Sequence, residues 1–111
     1  MQLRWTEGAA KDLEHIADYL FQHAPGRAAD LVRKIYDAPS VLLTFPNRGR
    51  QGRKKGTREL TLSPLPYIVV YQITHDVIYI TRILHAKVAL VYARTNFGLR
   101  QWNGLTQNRA P

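Results

Sequence analysis

The chain has 111 residues, of which 16 are Lys or Arg and 8 are Asp or Glu, so its formal net charge is +8. This length fits one domain with one modest core, and the charge favours an anionic partner such as RNA, DNA or an acidic protein segment. The absence of cysteine excludes a disulfide framework and a cysteine-ligated zinc site. No apolar stretch approaches the roughly 20 residues that span a bilayer, and the first residues lack the apolar run of a signal peptide. We therefore expect a cytoplasmic protein with no membrane partner.

The chain begins with a predicted strand and a predicted amphipathic helix. Residues 2–5 are expected to form a short strand, and Thr6 can cap the helix that follows. From Glu7 to about His23, apolar residues recur every three or four positions, which indicates one buried stripe. The stripe consists of Ala9, Leu13, Ile16, Ala17, Leu20 and Phe21. The charged residues Lys11, Asp12, Glu14 and Asp18 are expected on the solvent side.

A second helix is predicted between residues 25 and 43. Ala24-Pro25-Gly26 ends the first helix, and Pro25 can begin the next one because the first residues of a helix have no intrahelical acceptor to lose. Pro39 lies within this second pattern, and we expect it to kink the helix or divide it. The two helices together predict a helical hairpin.

Positive charge is concentrated in residues 48–58, here called the basic segment. No acidic residue occurs between Asp37 and Glu59, and three glycines allow the backbone to approach a partner closely. Arginine can grip a phosphate or a carboxylate through two parallel N–H bonds. A solvated surface loop has the same composition, so both interpretations remain open. The candidate residues for binding such a partner are Arg48, Arg50, Arg53, Lys54, Lys55 and Arg58.

Three strands are predicted after the basic segment. Thr57–Leu62, Tyr67–Ile73 and Val77–Leu84 are rich in β-branched and aromatic residues, and short turns separate them. Connections this short join antiparallel neighbours, so a three-stranded meander is expected. The fold class is therefore α+β: a short N-terminal strand, a helical hairpin and the meander. We expect one domain over residues 1–87, and residues 88–111 as an atypical, partly mobile C-terminal extension.

Several short sequence motifs, taken in their order along the chain, resemble those of the ParE/RelE toxin superfamily, and more closely those of its ParE branch. They are Trp5 followed by Ala10-Lys11-Asp12-Leu13-Glu14-His15-Ile16, Phe45-Pro46-Asn47-Arg48-Gly49-Arg50, Gly56-Thr57-Arg58-Glu59-Leu60, Pro66-Tyr67-Ile68-Val69-Val70-Tyr71 and Arg82-Ile83-Leu84-His85. The resemblance implies a type II toxin that a cognate antitoxin neutralises. ParE-like members poison DNA gyrase, whereas RelE-like members cut messenger RNA in the ribosome. After His85 the sequence departs from the usual ending of the family.

Cleavage of RNA without a metal needs a general acid or base and cations that stabilise charge on the phosphate. The candidates, only if the chain is RelE-like, are Arg58, Arg82, His85, Lys54 and Lys55. Side chains alternate between the two faces of a strand. Arg82 is therefore expected on the same face as Ile78 and Ile80, and His85 on the same face as Thr81 and Ile83, unless the strand bulges.

Other features favour the non-catalytic branch. Ala86 stands where some nuclease members have a tyrosine, and Glu59 is expected to pair with a neighbouring cation. His15, His23 and His75 are too scattered to suggest a metal site, and we expect neither a metal nor a cofactor.

Three hypotheses follow. The first is a toxin that binds gyrase through the basic segment and the helical hairpin without covalent chemistry. The second is a ribosome-dependent endoribonuclease, whose partners are the ribosome and messenger RNA. The third is a non-toxic nucleic-acid-binding remnant.

Overall fold

The computed structural model describes residues 1–87 and has the predicted α+β architecture. Its elements are β1 (Gln2–Trp5), α1 (Glu7–His23), α2 (Pro25–Asp37), a 3-10 helix (Ala38–Leu43), β2 (Arg50–Gln51), β3 (Arg58–Thr61), β4 (Tyr67–Thr74) and β5 (Val77–His85). Within this range, neither helix is long and apolar enough to cross a membrane. The predicted C-terminal extension, residues 88–111, lies outside the described residues.

The helix boundaries follow from the capping residues predicted above. The Thr6 hydroxyl accepts a hydrogen bond from the Ala9 N–H at 3.2 Å, which satisfies one of the free donors at the start of α1. Pro25 is the first residue of α2. The expected division at Pro39 is also confirmed, because α2 ends at Asp37 and the chain continues as the 3-10 helix.

All five strands form one mixed sheet in the order β1-β5-β4-β3-β2. The predicted meander is confirmed, since β3, β4 and β5 are antiparallel neighbours. Two pairings were not predicted: β1 lies parallel to β5, with Gln2 opposite Val77, and the two-residue β2 pairs with β3. A four-residue strand carries no local signal for its partner, so this pairing is set by the packing of the whole domain.

The helices cover one face of the sheet. Ala9, Ile35 and Leu42 pack against Val69 and Tyr71 of the central strand, and all five side chains are fully buried. This burial removes apolar surface from water and stabilises the fold by roughly 25 cal/mol per Å². On the opposite face the described chain has a smaller buried cluster, which consists of Ile68, Val70 and Leu84 with Ala86 packed against it.

Two residues of α1 differ from their predicted positions. Phe21 was expected in the buried stripe, but 52% of its surface is exposed. It follows Leu20 by one residue and is therefore rotated by about 100° from the buried face. Asp12 was expected on the solvent side, but it is only 5% exposed. It lies three residues after Ala9 and four before Ile16, which is the spacing of the buried stripe itself.

A β-bulge in β5 changes the predicted alternation of side chains. Tyr71 lies opposite Ile80, whereas the preceding Val70 lies opposite Arg82, so Thr81 is an extra residue in the ladder. Beyond the bulge, Ile83 belongs to the same core cluster as Ile80. This bulge is the exception stated in the sequence analysis: its extra residue reverses the phase of the strand, so Arg82 does not point to the same face as Ile78 and Ile80.

Candidate functional site

A single buried carboxylate organises the basic segment. Glu59 on β3 is 2% exposed, and its Oε1 lies 2.8 Å from Nη1 of Arg53. Its Oε2 accepts a hydrogen bond from the Arg53 backbone N–H at 3.1 Å, and Arg50 Nη2 lies 3.3 Å from Oε1. The expectation that Glu59 pairs with a neighbouring cation is confirmed. Moving Arg53 away would leave the buried Glu59 carboxylate without a counter-charge, which is costly. Glu59 therefore fixes the conformation of the segment that precedes it.

Tyr71 holds the beginning of the basic segment against the sheet. Its hydroxyl donates a hydrogen bond to the Pro46 carbonyl at 2.7 Å and accepts one from the Gly49 N–H at 3.0 Å. A Cβ at position 49 would lie 2.7 Å from the Tyr71 hydroxyl oxygen and 2.8 Å from the Glu59 carbonyl oxygen, so only glycine fits there. Burial raises the pKa of the Tyr71 hydroxyl, against smaller lowering effects of the Gly49 N–H and of Arg58.

Residues 52–57 form a closed hairpin loop. The Gly52 N–H donates to the Thr57 carbonyl at 2.8 Å, and the Thr57 hydroxyl donates to the Lys54 carbonyl at 2.6 Å. Gly56 has a φ of +84°, a left-handed conformation that glycine adopts without strain. These contacts give the loop a defined shape.

The six cations of the basic segment fall into two groups. Arg50 and Arg53 bind Glu59, and Arg58 donates through Nη1 to the carbonyls of Gly49 at 2.7 Å and Asn47 at 3.4 Å. The side chains of the other three form neither an ion pair nor a hydrogen bond within residues 1–87, and these residues are here called the outer cations. The outer cations are Arg48, Lys54 and Lys55. Composition alone could not separate the two groups, because the difference depends on which groups each side chain reaches.

Arg82 lies in a buried ion pair with Asp12 of α1. Its Nε is 2.5 Å from Oδ2 of Asp12, and its Nη2 is 3.2 Å from Oδ1. The same Oδ2 accepts the backbone N–H of Ile83 at 3.0 Å, on the part of β5 that extends beyond the end of β1. Both charged side chains are 5% exposed. This geometry joins the first helix to the last strand and accounts for a structural role of Arg82.

His85 lies at the other end of the sheet from the basic segment. It is opposite Tyr67, whereas Arg58 is opposite Tyr71. Four residues along β4 and two inter-strand spacings separate them, so their Cα atoms are about 16 Å apart. The His85 ring packs edge-on against Tyr67 at 5.5 Å, and its Nδ1 accepts the Lys87 N–H at 3.1 Å. The structure therefore does not bring Arg58, Arg82 and His85 together.

Two tyrosines of β4, Tyr67 and Tyr71, belong to the core on the helix side. His15, His23 and His75 are exposed. Across residues 1–87 there is no group of three side chains suited to hold a metal ion.

Sequence reasoning did not single out Asp12 or Tyr71 as organising residues. Asp12 could have been found, because a carboxylate within the spacing of a buried helical stripe requires a partner. Tyr71 gave no such signal, since its hydroxyl meets groups that lie 22 and 25 residues away in the sequence.

Comparisons with known proteins agree with one another. A family model described as the ParE toxin of the type II toxin-antitoxin system, parDE, matches residues 3–89. Over 85 residues the chain is 41% identical to Y4kP of Sinorhizobium fredii, whose name marks it as a candidate toxin, with 77% of this chain and 88% of that protein aligned. Over 85 residues it is 35% identical to the toxin RelE2 of Caulobacter vibrioides, with 77% and 94% aligned.

A solved structure is also similar. It is described as the chromosomal ParDE toxin-antitoxin system from P. aeruginosa, and it superposes with a TM-score of 0.72 at 32% sequence identity. The match covers 77% of this chain and 95% of that chain.

Proposed function

This chain belongs to the ParE toxin family of type II toxin-antitoxin systems, and we propose that it arrests bacterial growth by binding DNA gyrase and that a cognate antitoxin neutralises it. Gyrase is the target that the resemblance to ParE-like proteins implies. Binding without covalent chemistry is the mode of action that the site geometry supports best.

The outer cations carry this proposal. Arg53 and Arg58 are engaged by groups of the protein itself, whereas Lys54 and Lys55 extend from a hairpin loop whose backbone is already closed. A positive surface of fixed shape loses little conformational entropy when it binds, and it steers an acidic partner towards itself. We therefore assign the outer cations to contacts with carboxylates of a protein partner.

The arrangement of the other candidates weighs against a nuclease. General acid–base catalysis needs the proton donor within about 3 Å of the reacting group, or one water away. His85 is about 16 Å from Arg58 by their positions in the sheet, and Arg82 is committed to Asp12. A phosphate held by the basic segment is therefore far from the histidine that would have to act on it.

The first test is induction of the chain in a bacterium, followed by measurement of chromosomal breaks and of messenger RNA integrity. The proposal expects DNA breaks and the DNA-damage response, with intact transcripts. Primer-extension stops within translated messages would instead indicate the endoribonuclease. Normal growth with undamaged DNA and intact transcripts would indicate the non-toxic remnant.

The second test uses purified gyrase and a charge-neutralised variant. Arg48→Gln/Lys54→Gln/Lys55→Gln removes the outer cations without touching Glu59 or its partners. We expect its affinity for gyrase to fall by tenfold or more, with a weaker dependence on salt.

The control for this test removes the same charge from α2. Arg27→Gln/Arg33→Gln/Lys34→Gln neutralises three exposed side chains of that helix. Unchanged gyrase binding by this control is expected. Equal losses in both variants would show that overall charge, or the helical hairpin, carries the interaction, and would contradict the assignment to the basic segment.

The antitoxin proposal has its own test. Co-expression with the product of the adjacent open reading frame should restore growth, and the two proteins should purify together. The similarity to a structure described as a ParDE system supports this partner. Failure of every neighbouring product to bind the chain or to restore growth would refute it.

A further inference from the structure

A fixed turn joins the 3-10 helix to the basic segment. The Phe45 N–H donates to the Val41 carbonyl at 3.0 Å, and the Arg48 N–H donates to the Phe45 carbonyl at 3.1 Å. Between these two points the Pro46 carbonyl accepts the Tyr71 hydroxyl at 2.7 Å, so the turn is also attached to the sheet. Because the backbone is already held, a partner that binds here has little of it to order.

Residues 44–48 form an open depression at this turn, with a volume of about 470 Å³. Its lining is mainly apolar, and its largest apolar side chain is that of Phe45, a residue that is 57% exposed. The hydrogen bonds of the turn use only the backbone of Phe45, so they do not require an exposed ring.

Phe45 differs from the exposed tyrosines of the helices. Tyr19 stacks on His23 with ring centroids 4.1 Å apart, and Tyr36 stacks on Trp5 at 5.3 Å. Within residues 1–87 the ring of Phe45 has no such ring partner. It can therefore bury further apolar surface against another molecule, and aromatic side chains of this kind are frequent anchors of protein interfaces.

The charge around the depression selects the kind of partner. Among the described residues, no acidic side chain lines it. Arg48, which contributes to the lining, is exposed and is one of the outer cations. A second copy of this chain would bring a net charge of +8 to the same surface, so electrostatic repulsion opposes self-association. A protein segment in which carboxylates flank an apolar side chain matches both the charge and the apolar lining.

We propose that residues 44–48 are a docking surface for such an acidic segment, which places one large apolar side chain beside Phe45 and a flanking carboxylate on Arg48. This inference rests on the proposed function, because it names the chemistry of the segment that the outer cations attract. It adds an apolar anchor, Phe45, to contacts that are otherwise ionic. Aromatic residues and arginine are both enriched at the centres of protein interfaces.

The test uses two synthetic peptides that differ at one position. Each is a run of glutamates around a central residue, which is phenylalanine in one peptide and alanine in the other. Each peptide is titrated into the purified chain, and backbone amide shifts are followed by NMR. We expect the phenylalanine peptide to bind about tenfold more tightly, because its ring leaves water against Phe45. The additional shifts should lie at Thr44, Phe45, Asn47 and Arg48.

Two variants separate the apolar contact from the ionic one. Phe45→Ala should bind the two peptides with similar affinity, because the anchor is absent. Arg48→Gln should bind each peptide about threefold more weakly and keep the preference for phenylalanine. Phe21→Ala is the matched control, since Phe21 is 52% exposed on α1 and lies three residues after Asp18, whose charge does not attract an acidic peptide. This control should keep both the affinity and the preference.

Three outcomes would overturn the docking surface. They are equal binding of the two peptides by the unmodified chain, a preference that persists in Phe45→Ala, and a preference that is lost equally in Phe21→Ala. The first of these needs no variant. Amide shifts at residues 44–48 that depend on the concentration of the chain alone would identify a second copy as the occupant, and would overturn it as well.

The peptide titrations contain no gyrase, so they separate this inference from the proposed target. If the chain does not bind gyrase, the target is refuted and the peptides still decide the docking surface. If the unmodified chain binds gyrase, Phe45→Ala should bind it about tenfold more weakly. Equal affinity of Phe45→Ala and the unmodified chain for gyrase would refute the anchor and leave the target in place.

Discussion

Removal of the Asp12 carboxylate should destabilise the fold more than removal of any exposed charge. In Asp12→Ala, Arg82 would remain 4% exposed with its principal counter-charge gone, and the Ile83 N–H would lose its acceptor. Breaking one partner of a buried pair costs about 3–5 kcal/mol. A domain of this length has a total stability of roughly 6–17 kcal/mol. One substitution thus removes between about a fifth and most of the free energy of unfolding.

The assay is equilibrium unfolding in urea, followed by circular dichroism. With a slope of about 1.5 kcal/mol per M, the midpoint should fall by about 2 M or more. Asp18→Ala, on the exposed side of the same helix, should change the stability by less than about 0.5 kcal/mol. The double variant Asp12→Leu/Arg82→Met should recover most of the loss, because apolar groups of similar volume often replace a buried pair without cost. A loss below about 1 kcal/mol in Asp12→Ala would refute the buried pair.

Three further predictions concern the attachment of the basic segment to the sheet. Tyr71→Phe leaves the Pro46 carbonyl and the Gly49 N–H without their partner, and should cost about 1–3 kcal/mol, whereas Tyr36→Phe, at an exposed ring, should cost nothing measurable. Because burial raises the pKa of Tyr71 in the folded state, its contribution to stability is present below the unfolded pKa of about 10 and is lost as pH rises through the folded value. Urea midpoints between pH 8 and 11 should therefore fall less steeply in Tyr71→Phe; identical slopes would contradict this reading. Gly49→Ala should lower the thermal midpoint by several degrees because its Cβ has no space, whereas Gly26→Ala, with open space around it, should leave the midpoint unchanged or slightly higher. Equal midpoints in the two alanine variants would show that the segment relaxes away from the sheet.

The candidate site was only partly predictable. The cluster of six cations is visible in the sequence, because no acid interrupts it between Asp37 and Glu59. Its division into bound and outer cations was not visible, since it depends on whether Glu59 reaches Arg53 and whether a backbone carbonyl reaches Arg58. The separation of Arg58 from His85 likewise follows from the sheet register and not from their spacing in the chain.

The sequence by itself determined the elements of this protein, apart from the two-residue β2, and placed their boundaries within about two residues. The three- and four-residue recurrence of apolar side chains, the cap at Thr6, the prolines at positions 25 and 39 and the turns between strands are local signals, so they act within a few residues of where they stand. Tertiary structure alone decided the parallel pairing of β1 with β5, the bulge at Thr81 and the burial of Asp12 with Arg82. Those two residues are 70 positions apart, and only the packing of α1 against the edge of β5 brings their charges together.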